Sequence, residues 1–281
     1  MTDKKVLTIQ DISCFGQCSL TVAHPIISAC GIETVMLPAA ILSTHTGNGF
    51  SGYTFRDLTD DIPAIMRHWQ KEGLVFDCLY TGYLGSETQI DYVADLRKNV
   101  IARDGLMIVD PAMADNGKLY YGFNESFVAH MARLCGKADI ILPNITEACF
   151  MTGTEMKLDR QDEAYIQELI GKLSDLGAKH IVLKGVSFEE NRLGVAVHDA
   201  SAKETRYYFT ERMPKSYHGT GDCFAAAFTG AYMQGRDELE AASVAADFIV
   251  ECIRRTIDDE KHPYGVKFEK ALPTLVNLVN H

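Results

Sequence analysis

Short apolar runs alternate with amphipathic stretches along most of the chain. KKVLTIQ (4–10) and IETVMLP (32–38) are apolar and β-rich, which predicts strands. Between them SLTVAHPIISACG (19–31) reads as a helix with Gly31 as its stop. RDLTDDIPAIMRHWQKEG (56–73) is amphipathic at helical spacing and closes on Gly73. FDCLYTGYLG (76–85) predicts a strand ending in a glycine turn. SETQIDYVADLRKNVIARDG (86–105) predicts a helix capped by Gly105. LMIVDP (106–111), ADIILPN (138–144) and KHIVLKG (179–185) are short apolar strands that end in polar or turn residues. RLGVAVHD (192–199) and ETRYYFTE (204–211) alternate as a hairpin does. From Asp222 onward the pattern is mostly helical.

Strands separated by helices imply βαβ units, and hence an α/β fold with a mainly parallel sheet covered on both faces. No Pro-, Gly- or Ser-rich linker and no repeat divides the chain, so 1–281 reads as a single domain. Ligands of such sheets bind at the carboxyl ends of the strands. The residues there are Gln10 and Asp11, STHT (43–46), TGYLGS (81–86), Asp110, Asn144 to Glu147, and Lys184.

The bulk properties narrow the options. A 47% hydrophobic share supplies a real core. The 27 Lys and Arg against 38 Asp and Glu leave a net charge of −11, which argues against nucleic acid or an anionic membrane as partner. No apolar run approaches a membrane span, and the N-terminal apolar stretch is too short for a secretory leader, so a cytoplasmic protein is expected. The eight cysteines, at 14, 18, 30, 78, 135, 149, 223 and 252, include no C-x-x-C pair and read as reduced, mostly buried thiols.

SYHGTGDCFAAAF (216–228) carries the sharpest signal. The turn Gly219-Thr220-Gly221 leads to one acid, Asp222, and then to a run of small residues. A helix start has amides without intrahelical partners, which converge on an anion where glycines allow it. Asp222 is then either a base for an attacking hydroxyl or an acid that only complements the helix dipole. Ala225, Ala226, Ala227 and Gly230 predict a helix packed closely in the core, which favours the first role. Asp110, before Pro111, reads as a βα turn or as a carboxylate holding Mg²⁺ through water, with Asp115 near in sequence. Asn144 and Glu147 are spaced as a capping box, yet the same pair suits a hydrated metal and a phosphate. Lys184 before a glycine suits a phosphate, although lone lysines are common. His24 and His45 read as packing or polar surface residues. There is no Walker A loop and no G-x-G-x-x-G after the first strand.

Six motifs in order carry a resemblance: IQD (9–11), STHT (43–46), TGYLGS (81–86), VDPAMADNGKLY (109–120), LPNITEA (142–148) and GTGDCFAAAF (219–228). With helices between them, the chain resembles the ribokinase-like superfamily, and within it the pyridoxal kinases, over nearly its whole length. The resemblance implies a three-layer α/β/α sandwich and transfer of the ATP γ-phosphate to the 5′-hydroxymethyl of pyridoxal, pyridoxamine or pyridoxine. It implies Asp222 as general base and the amides of Gly219, Thr220 and Gly221 as anion hole. Asp110 and Glu147 would serve the metal, and Asp115, Asn144 and Lys184 the nucleotide. Asp11, Thr46 and Tyr83 would meet the pyridine ring, beside Asp222. Mg²⁺ is implied as cofactor, K⁺ often assists, and homodimers are common in the family.

Two departures bear on the substrate. Asp11 stands where many pyridoxal kinases place serine. Hydroxymethylpyrimidine kinases share HGTG (218–221) but commonly follow it with cysteine. Here Asp222 takes that place, and Cys223, about 100° further round a helix, reads as packing. A hydroxymethylpyrimidine kinase is the alternative enzyme, and a non-catalytic binder of pyridoxal phosphate or nucleotide the alternative class. The segment Ala114 to Phe123 is the candidate lid.

Overall fold

The computed structural model describes residues 4–47 and 50–281; the first three residues of the N-terminal segment lie outside it. The chain begins β1 (Lys5–Ser13), α1 (Leu20–Ala29), β2 (Glu33–Leu42), β3 (Phe55–Asp57), α2 (Ile62–Lys71), β4 (Phe76–Thr81). It continues α3 (Glu87–Asn99), β5 (Ile101–Val109), β6 (Ala114–Asp115), β7 (Lys118–Leu119), α4 (Glu125–Cys135), β8 (Ile140–Ile141), α5 (Ile145–Thr152). The last third holds α6 (Glu163–Asp175), β9 (His180–Val186), β10 (Arg192–Asp199), β11 (Glu204–Glu211), α7 (Thr220–Met233), α8 (Glu238–Arg254) and α9 (Phe268–Asn280).

Nine strands form one sheet in the order β11-β10-β9-β8-β5-β4-β1-β2-β3. The six from β9 to β2 pair in parallel; β3, β10 and β11 are antiparallel additions at the two edges. Alternation along each strand sorts side chains onto the two faces. Leu7, Ile9, Leu79, Met107, Val109, Ile141, Ile181 and Leu183 pack under α2 to α6. Val6, Cys78, Tyr80, Ile108, Ile140 and Val182 pack under α1, α7, α8 and α9. The expected three layers are present. Among the described residues no helix is long and apolar enough to cross a membrane.

Three local expectations are corrected. The helix expected over 56–73 begins at Ile62, because Phe55–Asp57 pairs with β2 as the sheet edge. The helix expected over 86–105 ends at Asn99. Gly105 is not its cap but part of β5, where a Cβ would stand 2.9 Å from the Asp77 carbonyl of β4. The pairing of β4 with β5 jumps from Phe76↔Ile101 to Cys78↔Leu106, so the four residues 102–105 stand opposite Asp77 alone. Arg97 holds that bulge through the Ala102 and Gly105 carbonyls, at 3.1 and 2.6 Å. Finally, β1 runs on to Ser13, so Asp11 lies within the strand rather than after it.

The β1–β2 register also shifts: between the pairs Gln10↔Pro38 and Ile12↔Ile41, Ala39 and Ala40 stand opposite Asp11 alone. Such bulges re-aim side chains near sites. On the other face, α7 lies close to α1: a Cβ on Gly230 would come within 2.5 Å of Cys30 Sγ. That approach explains the small residues after Asp222, and Cys223 is fully buried in this core, as expected.

Candidate active site

The parallel strands end side by side, and the expected polar residues collect there. Lys184 Nζ donates to both carboxylate oxygens of Asp110, each at 2.9 Å, across the ends of β9 and β5. The strand ends themselves are tied: Lys184 N–H donates to the Pro143 carbonyl at 2.8 Å, and Asp110 N–H to the Thr81 carbonyl at 2.9 Å. Burial alone would lower the lysine pKa, but the Asp110, Glu147 and Asp222 carboxylates outweigh it and hold the ammonium above its ordinary value.

Beside this pair stands the start of α7. Gly219 takes φ +80°, and a Cβ there would lie 1.8 Å from the Gln17 carbonyl, so only glycine lets the 14–18 loop pass beneath the turn. The Thr220 hydroxyl closes the turn by donating to the Tyr217 carbonyl at 3.0 Å. The first helical bond runs from Cys223 N–H to the Gly219 carbonyl. The amides of Thr220, Gly221 and Asp222 therefore precede the helical ladder. A Cβ on Gly221 would sit 3.9 Å from Lys184 Nζ, which puts the ammonium next to those amides. Asp222 Oδ2 accepts from the Ser19 amide at 3.0 Å. Burial raises its pKa to about 7; the Ser19 amide opposes the rise, and the Asp110 and Asp11 charges add to it. Asp11 is buried as well, and burial raises it against the hydroxyls of Ser19 and Ser13, the latter at 2.9 Å.

Asn144 and Glu147 do form the capping box of α5. The Asn144 side chain accepts from Glu147 N–H and the Glu147 side chain accepts from Asn144 N–H, both at 2.8 Å. Glu147 also accepts from Met113 N–H at 3.3 Å. It is fully buried, which lifts its pKa to about 8 against the pull of Lys184. Asn144 donates onward to the Ala114 carbonyl at 2.9 Å, and Gly117 N–H donates to the Thr146 hydroxyl at 3.1 Å. The β6–β7 hairpin, within the candidate lid, is thus tied to α5. Asp115, on its turn, is exposed and bonds Asn116.

Among the described residues no three His, Cys, Asp or Glu side chains converge as a metal cage. Asp110 and Glu147 already accept protein hydrogen bonds. They fit a hydrated cation reached through water, which is how Mg²⁺ commonly sits beside phosphates.

A model of the phosphomethylpyrimidine kinase family matches residues 62–266. The chain belongs to that family. A proposed phosphomethylpyrimidine kinase from Bacteroides thetaiotaomicron, crystallised with pyridoxal, is 36% identical. It superposes with a TM-score of 0.91 over 98% of this chain and 96% of that one. Pyridoxal kinase from Lactobacillus plantarum is 30% identical, with a TM-score of 0.88 over 99% and 98%. Hydroxymethylpyrimidine/phosphomethylpyrimidine kinase of Bacillus subtilis is 29% identical over 256 residues, 90% of this chain and 83% of that one. The relatives divide between the two named activities, and this chain is a kinase of their shared family with the ribokinase-like fold that its motif order implied.

One residue near the centre of this kinase escaped sequence reasoning. Tyr120 follows the hairpin, and its phenol is pushed far above its ordinary value by burial and then by the Glu147, Asp222, Asp115 and Asp110 carboxylates. Its place in VDPAMADNGKLY was the available signal. His45 is buried as expected of a packing residue: its Nδ1 accepts from Gly47 N–H at 3.0 Å, and Nε2 reaches the Tyr264 carbonyl at 3.2 Å. Its ring also lies against that of His218, centroids 4.5 Å apart, and burial followed by His45 lowers the His218 pKa to about 4. Tyr83 stacks against Phe123, and burial followed by the Asp11 charge raises its hydroxyl to about 12. Thr46 is exposed, next to His45. His24 is half-buried on α1. A cavity of about 500 Å³ opens from Lys184, Thr220 and Gly221 and continues between Val195, Ala246 and Ile249.

Proposed function

We propose that this kinase transfers the ATP γ-phosphate to the 5′-hydroxymethyl group of pyridoxal, pyridoxamine or pyridoxine. The observation that carries the reading is Asp222: one carboxylate with a pKa near 7, at the glycine-turned start of α7, beside Lys184. A base with its pKa near working pH is both available and strong enough to take a hydroxyl proton. The attacking oxygen approaches the phosphoryl group in line, as Asp222 receives its proton. The amides of Thr220, Gly221 and Asp222 and the Lys184 ammonium stabilise the charge on the phosphoryl oxygens. The apolar cavity beyond Thr220 takes the adenine, with Asn144 and Asp115 on the phosphate side. Asp110 and Glu147 would hold hydrated Mg²⁺, which neutralises phosphate charge when bound. The alcohol enters from the opposite side, between Asp11, Tyr83 and the His45–His218 pair.

The relative crystallised with pyridoxal supports the B6 assignment. The family match and the Bacillus subtilis relative favour a second reading, hydroxymethylpyrimidine as the alcohol. A coupled ATP-consumption assay over the three vitamers and hydroxymethylpyrimidine separates the two. A B6 vitamer is expected to give the highest kcat/KM. Asp222→Ala is expected to keep ligand binding and lose turnover by at least about 10²-fold, the scale of a general base. No turnover with any vitamer rejects the assignment.

A further inference from the structure

The Gln89 side chain bonds three separate parts of the chain. Gln89 is the third residue of α3, and the Ser86 hydroxyl caps that helix by accepting from Gln89 N–H at 3.3 Å. Serine followed three residues later by glutamine is the pattern of a capping box, in which the glutamine side chain turns back to the amide of the cap residue. Here it reaches one residue further, and Oε1 accepts from Gly85 N–H at 2.7 Å. Nε2 points away from the helix and donates to the Ala39 carbonyl at 3.0 Å and to the Thr59 hydroxyl at 2.8 Å. Gln89 is fully buried, where an unmet donor or acceptor is costly. Its partners border the proposed alcohol side. Ala39 is one of the two β2 residues that stand opposite Asp11. Gly85 lies two residues after Tyr83, and a Cβ on it would stand 3.6 Å from Gln89 Oε1 and 3.9 Å from Tyr83 Cε1. Thr59 lies between β3 and α2. A carboxylate in place of this amide would accept from Gly85 but has no hydrogen for Ala39.

We propose that Gln89 is a positioning residue for the alcohol: its amide clamps the loop that carries Tyr83 to the stretch of β2 opposite Asp11, and so sets the spacing of the two residues between which the alcohol lies. The proposal rests on the assignment of Asp11 and Tyr83 to the alcohol side. None of the three bonds involves Lys184, the start of α7 or the cavity beyond Thr220. Loosening the clamp therefore changes how the alcohol is held and leaves the nucleotide side as it is.

Gln89→Met keeps the length of the side chain and removes the amide. In the full-length protein it is expected to raise the KM for the alcohol about tenfold, the scale of one lost hydrogen bond, with the KM for ATP unmoved. Thr59→Val removes one acceptor and leaves the other two bonds. It is expected to give the same split at about threefold, and it carries the test should Gln89→Met fail to fold. A purely structural role would lower the folded fraction, which lowers the apparent kcat and moves neither KM. Steady-state kinetics on both substrates reads the split, with whichever of the three vitamers and hydroxymethylpyrimidine the unmodified protein turns over best. An alcohol KM that stays put, or equal rises in the two KM values, would overturn the proposal. A preference of the unmodified protein for hydroxymethylpyrimidine rejects the B6 assignment and not the clamp, since the comparison is then read with that alcohol. No turnover of any of the four rejects both.

Discussion

Asp222 is held at odds with stability. Its folded pKa, about 7, lies above the unfolded value, and burial is the main cause. A group raised in this way favours the folded state fully below the unfolded pKa, and that contribution is lost as pH rises through about 4 to about 7. Glu147, at about 8, acts in the same direction over a window reaching about one pH unit higher. On the proposed assignment, the acid that serves as base is therefore one that weakens the fold at the pH where it works, a common tension at active sites. Asp222→Asn is expected to raise the melting temperature at pH 8, by more than it does at pH 5; a larger gain at pH 5 would reverse the sign of the argument. Activity carries the same ionisation in the opposite sense. The base must be unprotonated, so kcat/KM is expected to fall about tenfold per unit below about pH 7.

At the scale of elements, α7 is positioned by what it lacks. Gly230 lets α1 approach until no room remains for a Cβ beside Cys30. Gly230→Ala is expected to cost about 1–3 kcal/mol, the usual penalty for overpacking a tight core, measured by chemical denaturation. An unchanged midpoint would mean that the two helices can separate without cost. The run of small residues made this contact legible in advance, because small residues at helical spacing have few other uses. Gly105 was misread for a related reason. A glycine after a helical pattern is usually a stop, and only the neighbouring strand shows that here it admits a backbone carbonyl.

Across the molecule, most of the site could be read because an α/β sheet delivers strand ends to one edge. Asp110, Asn144 and Lys184 each follow an apolar run, so chain order alone brings them together. Ser19 gave no such signal: its partner lies 203 residues away, and its dihedrals leave no trace in the residue type. The short β3 was missed because three exposed residues carry no period. On the proposed assignment the same layout puts the two ligands on opposite sides of Asp222 and Lys184. Ala246→Phe, which narrows the 500 Å³ cavity, is therefore expected to raise the KM for ATP about tenfold, equal to about 1.4 kcal/mol, with the KM for the alcohol unmoved. Steady-state kinetics on both substrates checks it.

Among the described residues the open sheet of nine strands has two borders, and each is a template on which another chain could extend the ladder. One border is β3, only three residues long. The other is β11, where Arg206 pairs with Asp237 at 3.2 Å and Glu211 pairs with Arg254. An incoming strand meets too short a ladder at one side and committed charges at the other. The features that terminate this sheet thus also protect the protein from polymerising through it.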